Sequence, residues 1–255
     1  PFKIMSALAG LQEGVITPTS TVHCFGGYRY GNRQNAFMSC HCETNGAPVK
    51  LDNAIYRSCN TYFATTYRKI IEKYPTSKEG MDAWNKDVTS FGLGKFLNND
   101  LSVGKKGLIP DGDYYNRWYP NVNWTATYNI SNAIGQGEIL TTPIQLANMT
   151  AAIANRGFYY TPHIIKKIQG SSIPEKFKEI HKTTIDKKYF EPVINGLFDV
   201  FEKKHGTAHS SKVNGIEICG KTGTSQNTHG QDHSIFIAFA PKDNPKIAIA
   251  VFVEN

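Results

Sequence analysis

No apolar run in the 255-residue sequence could cross a bilayer. The longest, Ile247–Val253, has seven residues, against the roughly 18–20 that a spanning helix needs. Long blocks of one charge are also missing. Lys+Arg number 28 against 21 Asp+Glu, a net charge of +7, but the excess is scattered through pairs such as Lys166-Lys167, Lys187-Lys188 and Lys203-Lys204. A basic surface favours anionic partners. Nucleic-acid modules, however, concentrate charge on one element and add a recognisable motif; the sequence has neither, so no nucleic-acid partner is expected. Internal repeats and composition breaks are absent, which implies one domain over residues 1–255. Hydrophobic residues make up 40% and aromatics 12%, enough for a sizeable core and too many for a disordered chain.

Periodicity places the elements. Ile4, Leu8, Leu11 and Val15 recur near the 3.6-residue repeat, with Gly14 as a stop. The rest of that segment is small and apolar, so the helix should be central and buried. Residues 17–48 are turn-rich. A helical pattern starts at Val49 with Leu51, Ala54 and Ile55, meets Arg57-Ser-Cys-Asn60, and resumes through Phe63 and Ile70. Lys78–Ser90 reads as a short amphipathic helix. Residues 95–130 lack periodicity and predict a long loop. Their Tyr/Trp-rich part, 114–128, could line a groove or pack as a loop. Thr142-Pro-Ile-Gln145 carries a capping box and a proline in the first turn, which predicts a helix to about Arg156. Phe158–Ile168 alternates like a strand, and Lys188–Lys204 reads as an amphipathic helix. Ile216–Ser225, Ser234–Ala240 and Lys246–Glu254 are three further strands, the last two joined by a hairpin-length turn. The sum is an α/β (α+β) fold, an antiparallel sheet covered by helices.

Three short motifs carry chemistry. Lys221-Thr-Gly-Thr224 lies on an expected strand, Ser58-Cys-Asn60 lies between two helical patterns, and Lys3 lies on the first helix. Each alone is weak. In chain order they match Ser-x-x-Lys, Ser-x-Asn and Lys-Thr-Gly of the serine acyl-transferases that open β-lactams. With Ala54-Ile-Tyr-Arg-Ser-Cys-Asn-Thr-Tyr-Phe63, Gly135-Gln-Gly-Glu-Ile-Leu-Thr-Thr-Pro-Ile-Gln-Leu-Ala147 and Phe236-Ile-Ala-Phe-Ala-Pro241, the chain resembles the transpeptidase domain of class B penicillin-binding proteins. Within them it resembles the elongation-type (penicillin-binding protein 2) branch.

The resemblance implies a penicillin-binding, serine β-lactamase-like fold, cut at both ends, whose nucleophilic serine would stand just before Pro1. It implies a peptidoglycan D,D-transpeptidase acting on stem peptides ending in D-Ala-D-Ala and inhibited by β-lactams. Such a protein sits on the periplasmic face of the inner membrane, anchored outside this chain, beside a glycosyltransferase or elongation-complex partner. A β-lactamase or D,D-carboxypeptidase and a non-catalytic β-lactam sensor are the competing readings. No cofactor is expected for catalysis. A serine hydroxyl needs an adjacent base, which Lys3 would supply, its pKa lowered by burial and by Lys221. Ser58 would relay a proton to the leaving amine. Asn60 would hold the substrate amide and orient Lys3. Lys221 would supply positive charge, and Thr222 and Thr224 would bind the substrate carboxylate. Gly223 would admit the peptide to the strand edge.

Cys24, Cys40, Cys42 and Cys59 fall close together, while Cys219 stands apart as an expected core residue. If Ser58 and Asn60 face the site, Cys59 faces away from it. The four thiols suit a closed tetrahedral Zn²⁺, with His23 or His41 as substitutes. An oxidising compartment favours disulfides instead, and free thiols remain a third possibility. Relatives in this branch carry a mixed carboxylate, His and Cys metal site in the same region, from which an all-cysteine set would depart.

Overall fold

The first helix, α1 (Lys3–Gln12), is buried over most of its circumference by Ile4, Met5, Ala7, Leu8 and Leu11. It is therefore the hub around which the other helices pack. The computed structural model describes residues 1–101, 103–167, 169–226 and 230–255. After α1 come short strand pairs: β1 (Val22–His23), β2 (Gly27–Arg29), β3 (Phe37–Ser39) and β4 (Pro48–Val49). β2 pairs with β3 as a hairpin, and β1 with β4 at its base. The helices α2 (Leu51–Tyr56) and α3 (Asn60–Glu72) follow, then α4 (Ser77–Thr89). α4 starts from a capping box in which Thr76 and Glu79 exchange hydrogen bonds.

The expected loop 95–130 contains a helix, α5 (Gly112–Trp118), and a 3-10 turn at Ala126–Tyr128; a second, Ile130–Ile134, follows. α5 has only seven residues, too few for the 3.6 period to register, and Asp111 caps it. Ser102 lies outside the described residues. Tyr114, Tyr115, Tyr119 and Trp124 pack on one another, so the aromatic stretch serves packing, and none of its residues lines the main cleft.

α6 (Pro143–Ala154) begins on the Thr142–Gln145 capping box read from the sequence. β5 (Phe158–Tyr160) is much shorter than the strand expected over Phe158–Ile168, because its partner β6 (Ile180–Lys182) offers only three residues to pair. Ile168 itself lies outside the described residues. α7 (Phe190–Glu202) precedes the main sheet of β7 (Cys219–Ser225), β8 (His233–Ala240) and β9 (Ile247–Val253). The order is β7-β8-β9, antiparallel throughout. α6 and α7 pack on this sheet, as the antiparallel sheet-and-helix reading requires. β7 is bonded on one side only, so its other edge is free to meet a ligand.

Close helix contacts rest on glycine. A Cβ on Gly80 of α4 would stand 2.3 Å from the Ile71 carbonyl oxygen and 2.7 Å from its Cα. Backbone cannot yield as a side chain end does. Gly80→Ala is therefore expected to push α4 off α3 and cost about 1–3 kcal/mol, read as a lowered denaturant midpoint. An unchanged midpoint would show that the two helices are not held this closely.

Candidate active site

Lys3 stands where α1 reaches the surface of a cleft of about 910 Å³. Its Nζ donates to Ser58 Oγ at 2.7 Å and to the Ser58 carbonyl oxygen at 2.8 Å. Ser58 turns the chain between α2 and α3 with φ of +58°, a left-handed conformation that costs a non-glycine residue about 1–2 kcal/mol. The strain aims both Ser58 oxygens at one amine. Burial pulls the Lys3 pKa down to about 8, against an opposing pull from Cys40, Cys59 and Cys42. The amine is thus within reach of the neutral form near physiological pH.

Lys221 is fully buried in β7 and donates to the Thr222 carbonyl oxygen at 3.1 Å. Burial first, and then Lys3, hold its pKa well below the ordinary lysine value. Thr222 donates its hydroxyl to Thr207 Oγ1 at 2.8 Å. Gly223 and Thr224 continue along the free edge and line the cleft. A Cβ on Gly223 would fall 1.8 Å from Pro1 Cδ and 2.7 Å from the Pro1 nitrogen. The Pro1 nitrogen is buried beside Lys221 and Lys3, so the start of α1 abuts the Lys-Thr-Gly strand. The three motifs, scattered over more than 200 residues, converge here.

Asn60 departs from the expected arrangement. Its Nδ2 donates to the Ser39 carbonyl oxygen at 2.7 Å, whereas both hydrogen bonds of Lys3 go to Ser58. Asn60 ties the β2–β3 hairpin to the first turn of α3 and does not orient Lys3 directly. The hairpin wall itself, with Tyr30, Phe37, Met38 and Ser39 in the cleft, was missed in the sequence, as were Thr207 and Arg57. A two-strand hairpin of three residues a side leaves no alternation to count.

Behind Ser58 and Asn60 lie the four cysteines. The sulfurs of Cys24, Cys40, Cys42 and Cys59 all stand within 4.8 Å of one another, and all four residues are buried. Cys42 and Cys59 are 3.4 Å apart and Cys40 and Cys59 3.8 Å, with no disulfide formed. Four sulfurs at 2.3 Å from one Zn²⁺ would be separated by about 3.8 Å, so the cluster has the dimensions of a thiolate cage. Its outer contacts fit too. The Asn60 N–H donates to Cys40 Sγ at 3.1 Å, and the Thr61 hydroxyl meets Cys24 Sγ at 3.0 Å. Hydrogen bonding with Cys59 holds Cys40 down at about 4, while burial raises Cys42 to about 11. The burial that raises Cys42 is a cost that a bound cation would offset. His23 and His41 stay out: His23 Nδ1 pairs with the Gly46 carbonyl, and His41 lines the cleft.

A lysine amine on a serine hydroxyl beside the open edge of a Lys-Thr-Gly strand is the arrangement that serine acyl-transferases of the β-lactam-opening class use. Comparison with known proteins narrows the class. Residues 2–255 match the penicillin binding protein transpeptidase domain, and the chain belongs to that family. Peptidoglycan D,D-transpeptidase MrdA of Acinetobacter baumannii is 28% identical over 99% of this chain and 38% of its own length. The structure of Pseudomonas aeruginosa PBP2 in complex with WCK 5153 matches at a TM-score of 0.84 and 34% identity, over 99% of this chain and 55% of that one. The complex between PBP2 and MreC from Helicobacter pylori matches at a TM-score of 0.80 and 26% identity, over 99% and 44%. The chain thus spans well under two thirds of the length of each of these three.

Proposed function

We propose that the protein is an elongation-type peptidoglycan D,D-transpeptidase and that residues 1–255 form its single transpeptidase domain. The observation that carries this is the Lys3 amine bonded to Ser58 Oγ beside the free edge of β7. The nucleophile is the serine that the Ser-x-x-Lys spacing requires three positions before Lys3. Lys3, neutral, takes the proton of that hydroxyl as it attacks the carbonyl of the D-Ala-D-Ala bond. Ser58, hydrogen-bonded to Lys3, passes a proton to the departing D-alanine amine. An acceptor amine from a second stem peptide then resolves the acyl-enzyme. Lys221 sets the positive potential of the site. Thr222 and Thr224 receive the terminal carboxylate, and Gly223 lets the donor backbone lie along β7 as an added strand. Asn60 holds the substrate amide. β-Lactams are trapped by the same serine.

Cys24, Cys40, Cys42 and Cys59 hold a structural Zn²⁺ that fixes the β2–β3 hairpin to the back of the Ser58–Asn60 turn. The metal takes no part in the chemistry. No helix among the described residues is long and apolar enough to cross a membrane; the anchor that holds the domain on the periplasmic face lies outside them. An elongation-complex partner is supported by the relative solved with MreC, and a glycosyltransferase partner supplies the strands to be cross-linked.

Intact-mass measurement of the full-length protein after benzylpenicillin tests the reading. One covalent adduct is expected, on the serine before Pro1. Its rate should rise with pH through about 8, because only the neutral Lys3 amine accepts a proton. No adduct, or one mapped elsewhere, would sink the proposal. Cross-linking of nascent strands in the presence of the glycosyltransferase separates a transpeptidase from a hydrolase or a sensor.

A further inference from the structure

Arg57 lines the cleft immediately before Ser58. Its backbone closes α2, with the N–H donating to the Asn53 carbonyl. Its side chain makes one hydrogen bond, from Nη1 to the Cys42 carbonyl oxygen at 3.1 Å, and its guanidinium carbon lies 5.7 Å from the Tyr56 ring centre. A guanidinium carries five N–H donors in a planar fork matched to carboxylate geometry. Four of them remain. The arginine ion pairs among the described residues belong to Arg68 and Arg156, and none reaches Arg57.

Glu43 follows Cys42 in the sequence and Asp232 lines the same cleft, but no ion pair to Arg57 forms among the described residues. The wall over residues 22–42 contains His23, Arg29, Arg33 and His41 and no Asp or Glu. On the other side, the Thr207 N–H donates to the Tyr56 carbonyl oxygen at 3.1 Å, and the Thr207 hydroxyl accepts from Thr222. The corner that carries Arg57 is thereby braced to the substrate edge of β7. The bond to Cys42 occupies one N–H and leaves four without a protein acceptor among the described residues, in a side chain that lines the cleft. A half-buried guanidinium with an open fork, on a braced corner of a cleft, is suited to a carboxylate.

We propose that Arg57 is a specificity-determining residue that binds a carboxylate of the donor peptide. The inference rests on the transpeptidase reading and adds to it the anchor for the substrate's charge. A stem peptide offers carboxylates of two kinds, the C-terminal one and those on the residues before the scissile bond. Both present the same chemistry to the fork.

The test uses the full-length protein with Arg57→Gln and Arg57→Lys. The probes are a D-Ala-D-Ala peptide with every carboxylate free, the same peptide with internal carboxylates amidated, and the same peptide with its C-terminus esterified. The wild type should prefer the fully charged peptide. Arg57→Gln should lose about tenfold or more, the scale of one charge-assisted hydrogen bond. The loss should fall in KM, be confined to peptides that keep one particular carboxylate, and be partly restored in Arg57→Lys. Whichever modified peptide is insensitive to Arg57→Gln identifies the bound carboxylate. No loss with any peptide would overturn the inference. An equal loss in kcat with all three would overturn it as well, since that marks a residue that positions Ser58. Absence of a penicillin adduct in the wild type would instead refute the transpeptidase reading on which it stands.

Discussion

Full-length protein carrying Lys221→Met is expected to lose acylation by at least about a hundredfold and yet to melt at a higher temperature than the wild type. Lys221 is fully buried, and among the described residues it forms no ion pair and donates to the Thr222 carbonyl. Its folded pKa is depressed by burial and by Lys3, so keeping Lys221 charged costs the folded chain free energy that the unfolded chain does not lose. Stability then rises with pH from the folded pKa to the unfolded value near 10.4. Methionine removes the penalty and keeps an unbranched side chain of similar volume, so no cavity opens. The gain should be largest at low pH. Each kcal/mol recovered raises Tm by about 2–4 °C in a domain of this size. Activity moves the other way, because a preorganised positive potential next to the reacting serine is lost; removing one such group costs about 2.7–4 kcal/mol of transition-state stabilisation. Penicillin acylation rate and Tm, measured at pH 6 and pH 9, check both halves. A lower Tm would show that Lys221 is structural, and an unchanged rate would remove it from the chemistry.

Removing the Zn²⁺ proposed for the four-cysteine cluster is expected to weaken the fold and slow acylation together. Elemental analysis of the full-length protein should find one zinc, and Cys59→Ser should reduce it. Loss of a structural metal belongs with the changes that cost upward of about 4 kcal/mol, so Tm should fall by roughly 10 °C. Cys59 adjoins both Ser58 and Asn60, and Cys40 accepts from the Asn60 N–H, so a released cluster lets the strained Ser58 turn relax away from Lys3. Cys219→Ser, a buried thiol outside the cluster, serves as the control and should leave zinc content unchanged. A protein free of zinc, or one that keeps it with Cys59→Ser, would refute the site.

Local chemistry made much of the fold legible in the sequence. The Thr142–Gln145 box started α6 at the expected residue because capping involves groups three positions apart. The apolar circumference of α1 announced a central helix, and the terminal strands were long enough for their pattern to show. α5 and the β2–β3 hairpin escaped, since seven residues or three give no period to read. The strand expected over Phe158–Ile168 failed for another reason. Strand propensity is realised only where a partner offers backbone, and β6 offers three residues.

The candidate site divides along the same line. Residue types and order bring Lys3, Ser58, Asn60 and the Lys221–Thr224 strand together as an expected serine acyl-transferase set with Cys59 turned away from it, and the structure puts Lys3, Ser58, Asn60, Thr222, Gly223 and Thr224 around one cleft. The tertiary structure alone decided that Asn60 bonds Ser39 rather than Lys3, that burial lowers the Lys3 pKa while three cysteines oppose it, and that no ion pair of Arg57 forms among the described residues. Each of these depends on what two segments distant in sequence place within 3 Å of each other, or keep apart. Hydrogen bonds and desolvation act over that range, and no spacing along the chain encodes it.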